Sequence, residues 1–222
     1  YILQTNAVVM VAPTGAAARN CNGSTPERAL KMGARNATKF GTANTNDLAY
    51  LQAKYENTIC LLVDEVSMIG RKMMGRINSR LRQAKATPEF LGNVSCVCIG
   101  DPAQCEARGD QQFYDEQPRH AQAADGENPN VRLSNIGLSV YNDFDEVVLL
   151  TKVHRQSVYK NPGDDKEKLA YNERSDKYWA IVHRLRDAEL SYEDYLELCK
   201  RKHCFLSASE KAFFSDAPVL MD

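Results

Sequence analysis

Hydrophobic residues in this chain gather into short, nearly continuous runs: Ala7 to Ala12, Ile59 to Val63, Val94 to Ile99 and Glu146 to Leu150. A strand covered by helices on both faces has no polar side, so such runs predict four buried strands. Between them the period changes. Thr45 to Tyr55 and Lys72 to Ala84 suit helices, and in the second Met73, Met74, Ile77 and Leu81 share one stripe at helical spacing, which predicts core. Strands alternating with helices imply an α/β fold with a mostly parallel sheet flanked by helices. The stretch from Gln117 to Asn135 is rich in Pro, Gly, Asn and Asp and carries little periodicity, so it reads as a surface excursion inside the domain. A polar segment, Lys160 to Asp165, breaks the chain, and two helices follow, Lys166 to Ala188 and Tyr192 to Lys202. Ser191 and Asp194 suit the N-terminal cap of the second.

Composition narrows the class. With 222 residues, 43% hydrophobic and 26% charged, the chain can build one sizeable core, as one domain or one plus a fragment. It has no apolar run of about 18 residues, and Tyr1 to Met10 lacks the basic start and small-residue cleavage site of a secretory signal. The expectation is a protein that is neither secreted nor in a membrane, nuclear or mitochondrial in a eukaryote and otherwise cytoplasmic. Seven cysteines, odd in number and without a C-x-x-C pair, read as reduced thiols, with Cys60, Cys96 and Cys98 filling buried strands.

A formal net charge of -1 does not suggest a nucleic-acid partner, but its distribution does. Ile69 to Ala86 holds six basic residues, Arg71, Lys72, Arg76, Arg80, Arg82 and Lys85, and no acid. Before Asp47 the only acid is Glu27, and acids accumulate from Asp110 to Glu146. Such a basic face fits either a phosphate-tracking groove or a solvated helix, and charge alone does not choose between them.

The strongest local signal is the run from Cys60 to Met68, a buried strand ending in the adjacent carboxylates Asp64 and Glu65. Parallel sheets present ligand-binding groups at the carboxyl ends of their strands. An aspartate there can hold the magnesium ion that bridges a nucleotide's outer phosphates, and Glu65 can orient or deprotonate an attacking water. The alternative is a strand that simply ends in two exposed acids.

Three further segments occur in the order of one family. Val11 to Ala18 followed by Gly23-Ser24-Thr25, then Asp64 to Gly70, then Ile99-Gly100-Asp101-Pro102-Ala103-Gln104, then Leu150 to Gln156 resemble successive motifs of PIF-type (petite integration frequency) and RecD-like DNA helicases. In wording they are most similar to helicases encoded by Helitron-type transposons. The resemblance implies a RecA-like phosphate-loop NTPase core, truncated at both ends. Residues 1–156 would be the first RecA-like domain without its first strand and phosphate loop, with a possible wedge within Met32 to Asn46. Residues 157–222 would be a helical connection and the start of a second RecA-like domain.

The resemblance also implies site roles. Glu65, Gln104 and Arg155 would be catalytic, Gln104 sensing the terminal phosphate and Arg155 acting as an arginine finger. Asp64, Asp101 and Gln156 would hold the ATP, with Mg2+ on Asp64, through water. Pro13, Thr14, Gly15 and Thr25 would touch DNA, although Pro13-Thr14-Gly15 also reads as an ordinary helix-initiating turn.

Departures from the family are equally specific. The phosphate-loop pattern G-x-x-G-x-G-K-[ST] is nowhere in the chain and is expected before Tyr1, while the end near Phe213 to Leu220 resembles the lead into the second domain. The family continues G-x-T-x-H where this chain has Gly23-Ser24-Thr25-Pro26, and Cys105-Glu106-Ala107 replaces Leu-Pro-Pro. The implied activity is ATP-dependent translocation on single-stranded DNA, 5′ to 3′, unwinding forked DNA as a monomer, with roles in repair, recombination or telomere maintenance. Two other readings stay open: a decayed or partial helicase copy that binds nucleic acid weakly, and an unrelated nucleotide-binding α/β domain.

Overall fold

A computed structural model describes residues 7–33, 41–117, 128–150, 163–200, 202 and 205–213. The strands are β1 (Val8–Val11), β2 (Cys60–Val63) and β3 (Ser95–Cys98), and they pair in that order, all parallel. Helices α1 (Gly15–Asn20), α2 (Pro26–Ala29) and α3 (Thr45–Tyr55) connect β1 to β2, and α4 (Arg71–Ala84) connects β2 to β3. Then come α5 (Pro129–Tyr141), α6 (Lys166–Arg186), α7 (Tyr192–Cys199) and α8 (Ala208–Phe213). The chain divides into two compact units, Tyr1–Val148 and Leu149–Asp222. No helix among the described residues is long and apolar enough to cross a membrane.

Register sets the geometry of the first unit. Val11 pairs with Val63 and Val63 with Cys98, so all three strands end at one level. The stripe on α4 is core, as its spacing predicts: Met74, Ile77 and Leu81 are fully buried against Val11, Leu61 and Val63. Leu51 and Tyr55 of α3 join them, and the buried Tyr55 hydroxyl donates to the Ala29 carbonyl at 2.8 Å. Burial raises the Tyr55 pKa well above its usual value. The three strand cysteines are only half-buried; Cys96 and Cys98 lie on β3, an edge strand among the described residues with Val97 46% exposed, and Cys60 is the first residue of β2.

Three expectations need correction. Glu146 to Leu150 forms no strand: it has no ladder partner among the described residues, and Val147 to Leu150 are at least 80% exposed. Apolar, β-branched composition favours a strand only where a neighbour supplies hydrogen bonds and packing. Nor is the whole of Gln117 to Asn135 without regular structure, because Pro129 to Asn135 is the first half of α5; residues 118–127 lie outside the described residues. Asn128 caps that helix by accepting from Asn130 N–H, and Pro129 occupies its first turn, where a missing N–H costs nothing.

The third correction concerns the basic run, which is not a free face. Arg71 is 0% exposed, Arg80 6% and Arg76 7%. The Arg71 guanidinium donates to the carbonyls of Ser134, Asp115 and Gln117 at 3.3, 3.2 and 2.6 Å. Arg80 donates to the Gly41 carbonyl at 2.7 Å, and Lys85 to the carbonyls of Tyr55, Glu56 and Thr58. These cations pin connecting segments to α4. A guanidinium can do this because its fixed fork satisfies several carbonyls while its stem packs in apolar surroundings.

Helices α4 and α5 pack at unusually close range. A Cβ on Gly75 would collide with the Leu133 carbonyl, and one on Gly137 with the Arg71 carbonyl. Gly137→Leu is therefore expected to force the helices apart and destabilise the first unit by about 1–3 kcal/mol, read as a lower urea midpoint.

In the second unit, α6 and α7 are joined by a bidentate pair. Arg184 Nε and Nη2 each lie 2.7 Å from an Asp194 carboxylate oxygen, and Ser191 and Asp194 complete a capping box, as expected. The Arg184 guanidinium, then the Ser191 contacts, hold the Asp194 carboxyl below the usual carboxylate range. Because the folded value is depressed, the link is at full strength above the unfolded pKa and is lost as pH falls through the folded one. The helicity difference between the native chain and Asp194→Asn should be constant from neutral pH to about pH 4, then close on further acidification. A difference unchanged down to about pH 2 would contradict this assignment.

Candidate functional site

The aligned carboxyl ends of β1, β2 and β3 bring distant parts of the sequence together. After β1 the chain runs through buried Ala12 and Pro13 to Thr14, whose Oγ1 accepts from Ala17 N–H at 3.1 Å and caps α1. Gly15 is exposed, with open space where a Cβ would stand. The chain then returns beside the same strand end: Ser24 N–H donates to the Met10 carbonyl at 3.1 Å and Ala12 N–H to the Ser24 carbonyl at 3.2 Å. Thr25 precedes α2 without a side-chain capping bond. Pro13, Thr14, Gly15 and Thr25 thus occupy one strand end. Of these, Thr14 also has the ordinary helix-starting role.

Pro26 fits its place. It is buried at the first position of α2, where proline's fixed φ suits the helix and no donor is needed.

At the end of β2, Asp64 N–H donates to the Val11 carbonyl at 2.8 Å, and the Asp64 Oδ1 accepts from Glu65 N–H at 3.0 Å. Glu65 sits in the left-handed region, φ 51° and ψ 48°. A glutamate held there is strained, and such strain persists where the surrounding structure enforces it, often at functional sites. Both carboxylates are half-buried. Next, Val66 N–H donates to the Ile99 carbonyl at 3.0 Å, joining this turn to the end of β3.

Gly100 makes that junction possible, because a Cβ there would lie 2.9 Å from the Val66 nitrogen. The Asp101 carboxylate accepts from Ala103 N–H and its carbonyl from Gln104 N–H, both at 3.0 Å. This turn leaves Gln104 exposed, one turn away from the junction with Glu65 and Val66. Arg155 and Gln156 lie outside the described residues.

Several supporting residues carry no sequence signal. With its amide oriented to satisfy both neighbours, Gln112 donates to the Ser67 carbonyl at 3.0 Å and accepts from Ala107 N–H at 3.1 Å. Asp110 accepts from Lys72 N–H at 2.8 Å at the start of α4. Tyr114 donates to the Pro102 carbonyl at 3.0 Å. The segment from Ala107 to Tyr114 therefore straps the turn after Asp64 and the turn after Gly100. Only long-range pairing reveals it.

Paired carboxylates are hard oxygen donors of the kind magnesium takes. Among the described residues no group of three His, Cys, Asp or Glu could enclose a metal. Magnesium commonly uses one or two carboxylates and completes its shell with water and substrate phosphates, so Asp64 fits it as a partial site.

No family model and no curated protein sequence matches the chain. Solved structures do match. A structure described as two coordinating Pif1 helicases at forked double-stranded DNA aligns with TM-score 0.59 and 17% identity, over 90% of this chain and 43% of that one. Pif1 helicase from Bacteroides in complex with ADP-AlF3 and single-stranded DNA aligns at 0.56 and 18% identity, over 90% and 42%. Bacteroides Pif1 bound to single-stranded DNA gives 0.55 and 17%, over 96% and 46%. The chain spans less than half the length of these structures. What it shares with them is their α/β fold, a parallel sheet flanked by helices.

Proposed function

We propose that these residues belong to an ATP-dependent DNA helicase motor, in which the end of β2 serves nucleotide cleavage and the end of β1 meets single-stranded DNA. The observation that carries this reading is the shared level of the three strand ends, with Glu65 strained beside Gly100 and the Gln104 turn. Asp64 would hold Mg2+, through water, and the ion would supply charge neutralisation at the outer phosphates. Glu65 orients and deprotonates the attacking water. Gln104 reports the terminal phosphate to the adjoining turn, which Asp101 shapes. Arg155 and Gln156 complete the site from the following segment. Residues 1–156 act as the first RecA-like domain, 32–46 hold the wedge, and 157–222 lead into the second domain.

Support comes also from what the fold neighbours bind: their descriptions name ADP-AlF3, single-stranded DNA and forked DNA. Travel from 5′ to 3′, monomeric action, nuclear or mitochondrial residence in a eukaryote and cytoplasmic residence otherwise, and roles in repair, recombination or telomere maintenance belong to the same proposal. It is tested by joining the 222 residues to a phosphate loop and a second RecA-like domain and measuring DNA-stimulated ATP turnover. Turnover that DNA does not stimulate, or that survives Glu65→Gln, overturns it.

A second reading has its own support. The departures from the resembled motifs at Pro26 and at Cys105-Glu106-Ala107 favour a catalytically silent copy that retains only nucleic-acid binding. Salt-dependent binding of single-stranded DNA without ATP turnover in the joined protein would select this reading.

A further inference from the structure

A cluster outside the strand ends is built for an anion. The Tyr50 ring on α3 is 48% exposed, with Lys31 Nζ 4.8 Å and Lys54 Nζ 5.8 Å from its centroid. Lys54 Nζ also lies 5.2 Å from the Tyr55 ring, and two ammonium groups gathered at one aromatic cluster repel each other, which the rings' negative faces offset only partly. Neither lysine forms an ion pair among the described residues. Lys54 also donates to the Ala29 carbonyl at 3.5 Å, which holds it over the end of α2. Exposed Arg28 lies on that helix. The nearby acids face other partners: Asp47, one α3 turn before Tyr50, accepts from Asn44 at 2.7 Å, and Glu27 is likewise partnered.

Backbone geometry points the same way. Lys31 sits at φ 51°, a conformation that glycine or asparagine adopts far more readily. A lysine kept there places a charge where a better-suited turn residue would place none. The position is also continuous with the candidate DNA contacts. Thr25 precedes α2 and Lys31 follows it, and four helical residues rise about 6 Å.

We propose that Lys31 and Lys54, positioned by the Tyr50 ring, form a phosphate-contact station for single-stranded DNA leaving the Thr14 and Thr25 strand end. This rests on the helicase reading and names a contact that its motifs do not include. The station takes phosphates of the backbone and does not discriminate bases, because ammonium groups are point charges without a planar fork.

The test is a salt series of labelled oligo-dT binding to the 222-residue chain, followed by fluorescence anisotropy. Removing two phosphate contacts should lower the magnitude of the log K against log salt slope by about 1.4 for the Lys31→Gln, Lys54→Gln variant. Tyr50→Leu should weaken binding while leaving the slope nearer the native one. A control with the same loss of charge, Lys166→Gln with Arg174→Gln on exposed sites of α6, should change the slope less. Native binding with an unchanged slope in the double lysine variant, or an equal change in the control, overturns the station and leaves the helicase reading standing. No binding by the native chain overturns the station, and with it the DNA contact at the β1 end. Unchanged far-ultraviolet circular dichroism in each variant shows that a lost slope is not lost folding.

Discussion

Glu65→Gln, in the 222 residues joined to a phosphate loop and a second RecA-like domain, should cut DNA-stimulated ATP turnover by about 100-fold or more, within the range of general-base loss. The reasoning is geometric before it is chemical. Glu65 follows the strand end that carries Asp64 and precedes the turn that Val66 ties to Ile99, so its backbone stands at the junction of β2 and β3. Glutamine keeps the size and the left-handed backbone but cannot accept a proton at neutral pH. Nucleotide affinity should therefore change little while turnover falls, because Asp64 keeps the metal. The measurement is steady-state phosphate release beside equilibrium binding of a labelled nucleotide. An equal fall in both would show that Glu65 contributes to ground-state binding and not to the chemical step.

Arg71→Met should lower the stability of the first unit by about 3 kcal/mol, a shift of roughly 10 °C in thermal midpoint. Arg71 is 0% exposed and its donors reach three backbone carbonyls, on α5 and in the Asp115 to Gln117 stretch. Methionine replaces the stem but leaves those carbonyls without that donor, and buried acceptors without partners are costly. Thermal unfolding followed by circular dichroism checks it. A midpoint within about 2 °C of the native one would mean that water or other donors readily replace the guanidinium. Lys72→Gln is the contrast: its ammonium bonds the Gly109 carbonyl at a more exposed site, so its loss should cost much less.

Several elements were readable before any coordinates. Thr45 to Tyr55 is α3 to the residue, and Ser191 with Asp194 forms the capping box, because local spacing and capping chemistry act over a few neighbouring residues. The runs around Val8, Cys60 and Ser95 are strands, each shorter by one or two residues than its apolar run, since hydrogen bonding ends before hydrophobicity does. Asp64 and Glu65 at a strand end were legible for the same reason: a buried strand that stops at acids marks the sheet's edge.

Composition could not say what a neighbour would do. Glu146 to Leu150 has the residues of a strand and no partner to make it one, while Pro129 to Asn135 has the residues of a loop and is held as helix against α4. Arg71 and Arg80 looked like surface charge and are buried, because only the folded chain brings carbonyls from residues 39 to 63 positions away within their reach. Tyr50 between two lysines and Gln112 beneath Ser67 are likewise meetings of distant segments. The linear chain thus specified α3, α4, α6 and α7, its strands' cores and the acids at a strand tip through short-range periodicity. Pairing, burial of charge and the company each side chain keeps were settled by long-range packing, in which a residue's partner matters more than its type.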